Sequence, residues 1–452
     1  FILSRIGIKR RLNIFITLAI IWSYGYIIDY PSSILRSSIM FSIIYYSQLI
    51  HEPYDTVNNL ALAAFILLFI NPFNLLDIGF QLSFMATLSI VLFTNAIERW
   101  FYPYKNKLTT TLSSIFAVHI GLLPIQAYYF NRISLLSICA NILVIPLLSI
   151  SLIVGFLMLI LSFFFPFITT AFGYILNIIL DIQFAILNIL GNIPFNIIKA
   201  RSPEIFEIVL FYIVVLIIFK FINISRLKKM LVKTIIFYLI ILTVWNFAVV
   251  IYDESIEIHF IDVGQGDAIY IRTKRNNYLM DTGGSLLNTF DVGKNITLPY
   301  LEKLGVTKLD AVFITHFHED HCQGLLALID EIQISKIMSS YYPKDNQMIK
   351  EIKKHNIPFR VLKKGDSLKL DKDIKLKILW PPDNVPNLSE NNMSLVSLLD
   401  YRDFNILFTG DIEKEGEYLL SNNICGGIDL IKVPHHGSET SSTDELLNQI
   451  KP

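Results

Sequence analysis

Apolar and polar positions follow two different rules along this chain. In the first half apolar residues run on with little interruption, at 12–28, 33–50, 57–70, 75–95, 111–130, 134–163, 167–193, 205–222 and 234–251. A run of about 20 residues matches the thickness of a hydrocarbon core, so the pattern predicts eight or nine membrane segments. The run at 134–163 exceeds one span, and Pro146 inside it predicts a kinked or re-entrant piece. The segment at 33–50 carries Arg36 among several Ser and Tyr, which predicts a helix that lines an interior or lies along the surface. After residue 252 the runs shorten and alternate with polar residues, the two-residue period of half-buried strands. Ser255–Ile271 reads as two strands around the Gly264-Gln265-Gly266 turn. Tyr278–Asp281, Ala311–Thr315, Asn405–Phe408 and Leu430–Val433 read as further short strands.

These rules divide the chain into a polytopic α-helical membrane region, 1–252, and a soluble α/β region, 253–452. Of the 452 residues 53% are hydrophobic and 17% charged, a balance that places one region in a bilayer. Formal net charge is zero, yet 16 Lys/Arg and 8 Asp/Glu before residue 253 give +8, while 22 and 30 after it give −8. A basic surplus on the apolar half fits cytoplasmic loops. Its densest cluster, Lys220, Arg226, Lys228, Lys229 and Lys233, predicts such a loop, so that 234–251 crosses once and delivers the soluble region to the outer face. Cys139, Cys322 and Cys425 show no CxxC spacing and form no disulfide framework; Cys322 reads as a bystander. The sequence opens Phe-Ile-Leu-Ser without Met or signal peptide and closes at Lys451-Pro452, which reads as a fragment at both ends.

Polar side chains within apolar segments are costly in a bilayer and face a protein interior. Here they are His51, Glu52, Asp55, Asn58, Asn59, Asp77, Gln81, His119, Gln126, Asn141 and Asp181. Singly, each has an ordinary reading as an interhelical hydrogen bond. As a group they fit the lining of a polar path.

The candidate chemistry sits at the end of the predicted strand Ala311–Thr315. His316, His318, Asp320 and His321 follow within six residues, ahead of Gly324 and an apolar helix-like run. One histidine is ordinarily a satisfied polar residue; three imidazoles and a carboxylate in one strand-to-helix loop are what divalent metals need. The stretch resembles the HxHxDH signature of the metallo-β-lactamase superfamily. HFIDVGQGDAIYI at 259–271, MDTGG at 280–284, NNMSLV at 391–396, FTGD at 408–411 and KVPHHGS at 432–438 follow the order of the ComEC family of DNA-internalisation competence proteins. Residues 77–84, DIGFQLSF, and 53–60, PYDTVNNL, also resemble that family in the membrane half.

The resemblance implies a metallo-β-lactamase-like αββα sandwich and two divalent ions. It places His316 and His318 on one metal, Asp320 and His321 on the other, and Asp411 bridging both. KVPHHGS supplies a late ligand, with His435 favoured and His436 left to contact substrate, while Asp281 supports the metal loop from behind. Many superfamily members carry a further histidine where this chain has Asn391-Asn392-Met393-Ser394; the remaining one in that interval, His355, lies in a basic stretch. Fewer nitrogen ligands shift preference toward harder ions, so Mn²⁺ is weighed beside Zn²⁺. Asn392 and Ser394 are then site neighbours, Asp320 the group that orients water and accepts its proton, and Ser438 or Lys432 a phosphate contact, Lys432 reading equally well as a solvated strand-edge lysine. Residues 350–377 carry ten Lys/Arg against four acids, either a track for a nucleic-acid backbone or a solvated face.

The function implied is DNA uptake: single-stranded DNA passes the cytoplasmic membrane of a bacterium while the outer domain hydrolyses the other strand. Single- and double-stranded DNA, the lipid bilayer and other competence-machinery proteins are the implied partners. Two alternatives remain. One is a membrane-tethered metallohydrolase of a small ester, lactone or phosphodiester without transport; the other is a DNA channel whose outer domain binds DNA without catalysis.

Overall fold

The structure is a computed structural model that describes residues 9–193, 196–219, 255–285, 290–343, 347–382, 388–421, 424 and 427–451. The chain divides into two compact units, Phe1–Asn223 and Ile224–Pro452.

In the first unit each of the first eight apolar runs forms a helix: α1 (Arg10–Ile27), α2 (Ser32–Ile50), α3 (Thr56–Ile70), α4 (Ile78–Glu98), α5 (Lys107–Phe130), α6 (Ser137–Ser162), α7 (Pro166–Gly191) and α8 (Ile205–Ile218). The ninth run and the basic cluster at 220–233 lie outside the described residues. Among the described residues, four helices are long and apolar enough to cross a bilayer, namely α4 to α7; Arg11–Ile27, Thr56–Ile70 and Ile205–Ile218 are shorter apolar helices. Pro146 does not break its run. It sits inside the continuous 26-residue α6, because a membrane helix tolerates one missing N–H where neighbouring groups satisfy the freed carbonyl. At 1.5 Å per residue α6 is about 39 Å long, more than the hydrocarbon core, which a tilt accommodates.

Several polar residues of this unit are engaged locally. Asp55 Oδ1 caps α3 at Asn58 N (2.8 Å) and Asp77 Oδ2 caps α4 at Phe80 N (2.8 Å). Asn59 Nδ2 donates to Met40 O (3.2 Å), joining α3 to α2, and Asn141 Nδ2 meets His119 Nε2 (3.1 Å), joining α6 to α5. Arg36 faces the protein interior, with Nε on Ser83 Oγ (2.5 Å) and Nη1 on Thr87 Oγ1 (2.6 Å) of α4. Caps and interhelical bonds are thus the observed duties of these side chains.

The second unit is a four-layer α/β sandwich. Strands β1 (Glu257–Phe260), β2 (Ile269–Arg272), β3 (Asn277–Met280), β4 (Ala311–Ile314), β5 (Ile337–Ser339) and β6 (Phe359–Val361) form a sheet in the order β6-β5-β4-β3-β2-β1. Strands β7 (Ser367–Asp371), β8 (Ile374–Trp380), β9 (Val396–Tyr401), β10 (Phe404–Phe408) and β11 (Leu430–Ile431) form the second sheet in sequential order. Both sheets are mixed: β3, β4, β5 and β6 pair in parallel, as do β10 and β11, and the remaining pairs are antiparallel.

The period-2 pattern explains the layering. Ile269, Ile271, Tyr278, Met280, Ala311 and Phe313 point inward and meet Leu370, Leu376, Ile378, Leu399 and Phe408 of the second sheet. The alternate residues Tyr270, Leu279, Val312 and Ile314 point outward against Leu325, Leu328 and Ile329 of α9 (Leu325–Glu331) and Met348, Ile349 and Ile352 of α10 (Gln347–Lys354). Val396 and Leu407 pack outward on Leu420 of α11 (Lys414–Ser421) and on Leu446 and Ile450 of α12 (Asp444–Ile450). The parallel strands β3 and β4 end side by side and run into Asp281 and His316, while β10 runs into Asp411.

The segment in place of the missing histidine is a clamp between these layers. Asn392 is buried; its Oδ1 accepts Glu413 N (2.9 Å) and Gly416 N (3.3 Å) at the start of α11, and its carbonyl accepts Trp380 Nε1 (2.7 Å). Its amide is therefore spent on a helix start. Replacing Asn392 by Ala leaves those N–H groups unpaired and is expected to lower stability by about 1–2 kcal/mol, whereas Asp, which keeps an acceptor, should retain most of it. Thermal unfolding of the chain in detergent checks this; an Ala variant as stable as the parent contradicts it.

Candidate metal centre

The site is assembled from strand ends. Asp281 leaves β3 with a left-handed backbone (φ 56°) that an aspartate tolerates better than most residues. The turn aims its buried carboxylate at the end of β4: Oδ1 accepts Thr315 N (2.7 Å), and Oδ2 accepts Thr315 Oγ (2.7 Å) and lies 2.9 Å from His321 Nδ1. A partner on Nδ1 leaves His321 Nε2 to face the centre, where it meets Asp411 Oδ2 at 3.1 Å. His321 is fully buried. Burial opposes a charge on its ring, but the carboxylates of Asp281 and Asp411 outweigh it and raise the imidazole to about 10.

His316 and His318 face one another on the same loop, Nε2 to Nδ1 at 3.1 Å. Burial, reinforced by His321, pushes His316 down to about 2, so its ring is neutral and has a lone pair to give. Both histidines are held from behind. His316 Nδ1 lies 3.1 Å from Thr315 Oγ1 and 3.3 Å from Ser394 Oγ, and His318 Nε2 lies 3.2 Å from Glu390 Oε2. Ser394 Oγ also accepts the Asp411 backbone N–H (3.1 Å), tying the two sheets' loops together. Gly410, with φ 57°, makes this approach possible, because a Cβ there would stand 2.7 Å from Ser394 Cβ.

Asp411 is the hub. Its Oδ2 meets both His321 Nε2 and His436 Nε2 (3.2 Å), and its Oδ1 lies 3.3 Å from Lys432 Nζ. Although burial acts to raise its pKa, these hydrogen bonds and charges hold it far below the usual carboxylate range. Asp320 Oδ2 lies 3.7 Å from His436 Nε2 and 3.8 Å from His321 Nε2; that pairing overcomes burial and keeps it ionised. The Asp320 and Asp411 carboxylates, which accept from its ring N–H, raise His436 to about 9.

The structure differs from the sequence reading over the paired histidines. His435 turns its Nδ1 to Thr440 Oγ1 (3.2 Å) and Glu413 Oε1 (3.4 Å), and His436 is the one that reaches the cluster. Both residues sit in the left-handed region, at φ 46° and 51°, a conformation that costs about 1–2 kcal/mol for a non-glycine residue. This turn reverses which ring faces inward. Ser438 Oγ pairs with Thr440 Oγ1 (3.1 Å), and Asn392 caps α11 as described. His355 lies beside Asp330 (3.5 Å). The Cys322 thiol donates to Phe317 O (3.5 Å), and burial pushes it up to about 12. The basic stretch at 350–377 is partly neutralised by Lys354–Glu351, Arg360–Asp366 and Lys377–Asp400.

Two further residues reach the centre. Asp267, a turn residue by its Gly-Asp context, has a carboxylate oxygen that lies with ligand atoms of His321, Asp411 and His436 within 4.8 Å of one another. Gly266 lets it in: with φ 120° and a Cβ position only 2.3 Å from Asp320 O, no larger residue fits that turn. Lys432 is not a solvated strand-edge lysine. It is 8% exposed and its ammonium is committed to Asp267, Asp411 and Gly410 O (3.0 Å).

The donor set fits divalent metal. Imidazole nitrogens and carboxylate oxygens converge without a thiolate, and the rings of His316, His318 and His321 are each fixed by a second partner, as metal-binding histidines ordinarily are. The protons on His321 and His436 are ones a metal would displace.

Comparison with known proteins agrees with this architecture. The Competence protein family matches residues 1–224 and the metallo-β-lactamase superfamily matches residues 261–375. ComE operon protein 3 of Bacillus subtilis is 28% identical over 477 aligned positions, covering 100% of this chain and 60% of that protein. Recombination protein 2 of Haemophilus influenzae is 25% identical, covering 95% and 56%. The chain thus spans less than two thirds of the length of these relatives. Among solved structures, the metallo-β-lactamase fold protein YhfI from Bacillus subtilis aligns with 37% of this chain and 63% of its own at 15% identity and a TM-score of 0.25. The second unit is a metallo-β-lactamase superfamily domain joined to a competence-type membrane region. The chain carries a region that matches the Competence (ComEC) family model, fused to a domain that matches the metallo-β-lactamase superfamily model.

If His436 and not His435 serves the centre, His436→Ala should weaken Mn²⁺ binding at least tenfold and His435→Ala should leave it within twofold. Calorimetric titration of the purified chain decides between them; the reverse order contradicts the geometry.

Proposed function

We propose that this membrane protein takes up DNA, passing one strand through its membrane region (1–252), while its metallo-β-lactamase domain (253–452) hydrolyses phosphodiester bonds of the strand that stays outside. The observation that carries the hydrolytic part is the convergence of His316, His318, Asp320, His321, Asp411 and His436 at one set of strand ends. The names and family of the relatives support the DNA-uptake part. The basic cluster before the 234–251 segment supports an extracytoplasmic domain.

In this reading His316 and His318 would hold one divalent ion, Asp320, His321 and His436 would hold a second, and Asp411 would serve both. Such ions supply Lewis-acid charge for a phosphodiester and a more acidic water. The chain's own groups do the rest. Asp281 and Glu390 orient His321 and His318 by accepting their outward N–H groups, so that the inward nitrogens keep their lone pairs. Asp320, held ionised beside His436, orients the attacking water and takes its proton. Ser394 fixes both His316 and the Asp411 backbone. A centre of oxygen and imidazole donors without thiolate suits Mn²⁺ as well as Zn²⁺.

Cleavage of single- and double-stranded DNA by the purified chain with Mn²⁺, Mg²⁺ or Zn²⁺ tests the proposal. His318→Ala and Asp411→Asn are each expected to reduce metal-dependent cleavage at least 100-fold. A folded, metal-loaded chain that cleaves no DNA overturns the nuclease reading and leaves a small ester, lactone or phosphodiester as substrate.

A further inference from the structure

Lys432 is the least expected group at this centre. Metal sites gather negative charge to attract a cation, yet here the chain buries an ammonium of its own among the ligands. Its Nζ forms a very close ion pair with Asp267 Oδ2, lies 3.3 Å from Asp411 Oδ1 and donates to Gly410 O at 3.0 Å. It follows β11, so its backbone is fixed by the sheet, where Lys432 N donates to Leu407 O (2.9 Å). Asp267, in turn, is locked by the Gly266 turn against Asp320. A buried charge of this kind persists only when paired, and both of its carboxylate partners belong to or adjoin the ligand set.

We propose that Lys432 is an internal cation that occupies Asp267 and Asp411 in the metal-free protein and competes with a divalent ion for them. The inference rests on reading this cluster as a metal centre. Without metal, Asp267, Asp281, Asp320 and Asp411 would crowd one small volume; the ammonium offsets that repulsion and keeps the ligands in place. When a divalent ion enters, it meets a fixed positive charge beside Asp411, and its binding is weaker than the carboxylates alone would give. Lys432 is thus a positioning residue that tunes metal affinity. Asp267, released from the ion pair, becomes a further oxygen donor for the ion.

Equilibrium binding of Mn²⁺ to the full chain in detergent, together with its melting temperature with and without chelator, tests this. Lys432→Met should bind Mn²⁺ at least tenfold more tightly and melt lower than the parent in chelator, with the deficit recovered at saturating Mn²⁺. Asp267→Asn should bind more weakly. Lys432→Arg keeps the cation and should not gain affinity, which provides a reading if the Met variant fails to fold. Unchanged or weakened binding in Lys432→Met, or a gain in Lys432→Arg, overturns the role of Lys432 while leaving the metal centre standing. Absence of Mn²⁺ binding in the parent chain overturns both.

Discussion

The second unit depends on one buried carboxylate. Asp281 sits in the core with almost no exposure and has three partners, the Thr315 N–H, the Thr315 hydroxyl and His321 Nδ1. Burial pushes its pKa up, and His321 acts against that rise. A buried carboxylate is tolerable only when so fully bonded, and those bonds tie the end of β3 to the end of β4. The same contact fixes the His321 ring, points Nε2 at Asp411 and so joins the first sheet's loop to the second's. Remove it, and a buried imidazole and a loop with two further histidines lose their common reference.

Around that contact the second unit places charge where apolar layers leave room. The three apolar clusters fill the spaces between helix, sheet, sheet and helix. Strands that are parallel where it matters bring their C-terminal ends to one edge, and ionisable residues collect there. The first unit works by another economy. Its helices expose large apolar side chains, as a bilayer requires, and its polar groups cap helices or bridge between them.

Much of this architecture was legible in the sequence, for physical reasons. Uninterrupted apolar runs forecast the positions of α1 to α8, and the short apolar run at Ala311-Val312-Phe313-Ile314 forecast a strand buried on both faces. His316, His318, Asp320 and His321 stand out through residue type and spacing, and Asp411 through the resemblance of its FTGD stretch to the ComEC family. Other features lie beyond pattern. Pro146 reads as a break, but a long membrane helix absorbs it. His435 and His436 are chemically identical neighbours, distinguished only by a turn with two left-handed residues. Asp267 is indistinguishable from any Gly-Asp turn until Gly266 is seen pressed against Asp320. Lys432 betrays its burial only once β11 is known to end beside two carboxylates.

A divalent ion held by imidazoles and carboxylates from both sheets must show both kinds of donor around it. X-ray absorption at the manganese edge on the Mn²⁺-loaded chain tests it most directly. The expected spectrum shows a first shell of nitrogen and oxygen, with the multiple-scattering signature of imidazole and no sulfur. A shell of oxygen alone, without imidazole scattering, would contradict it.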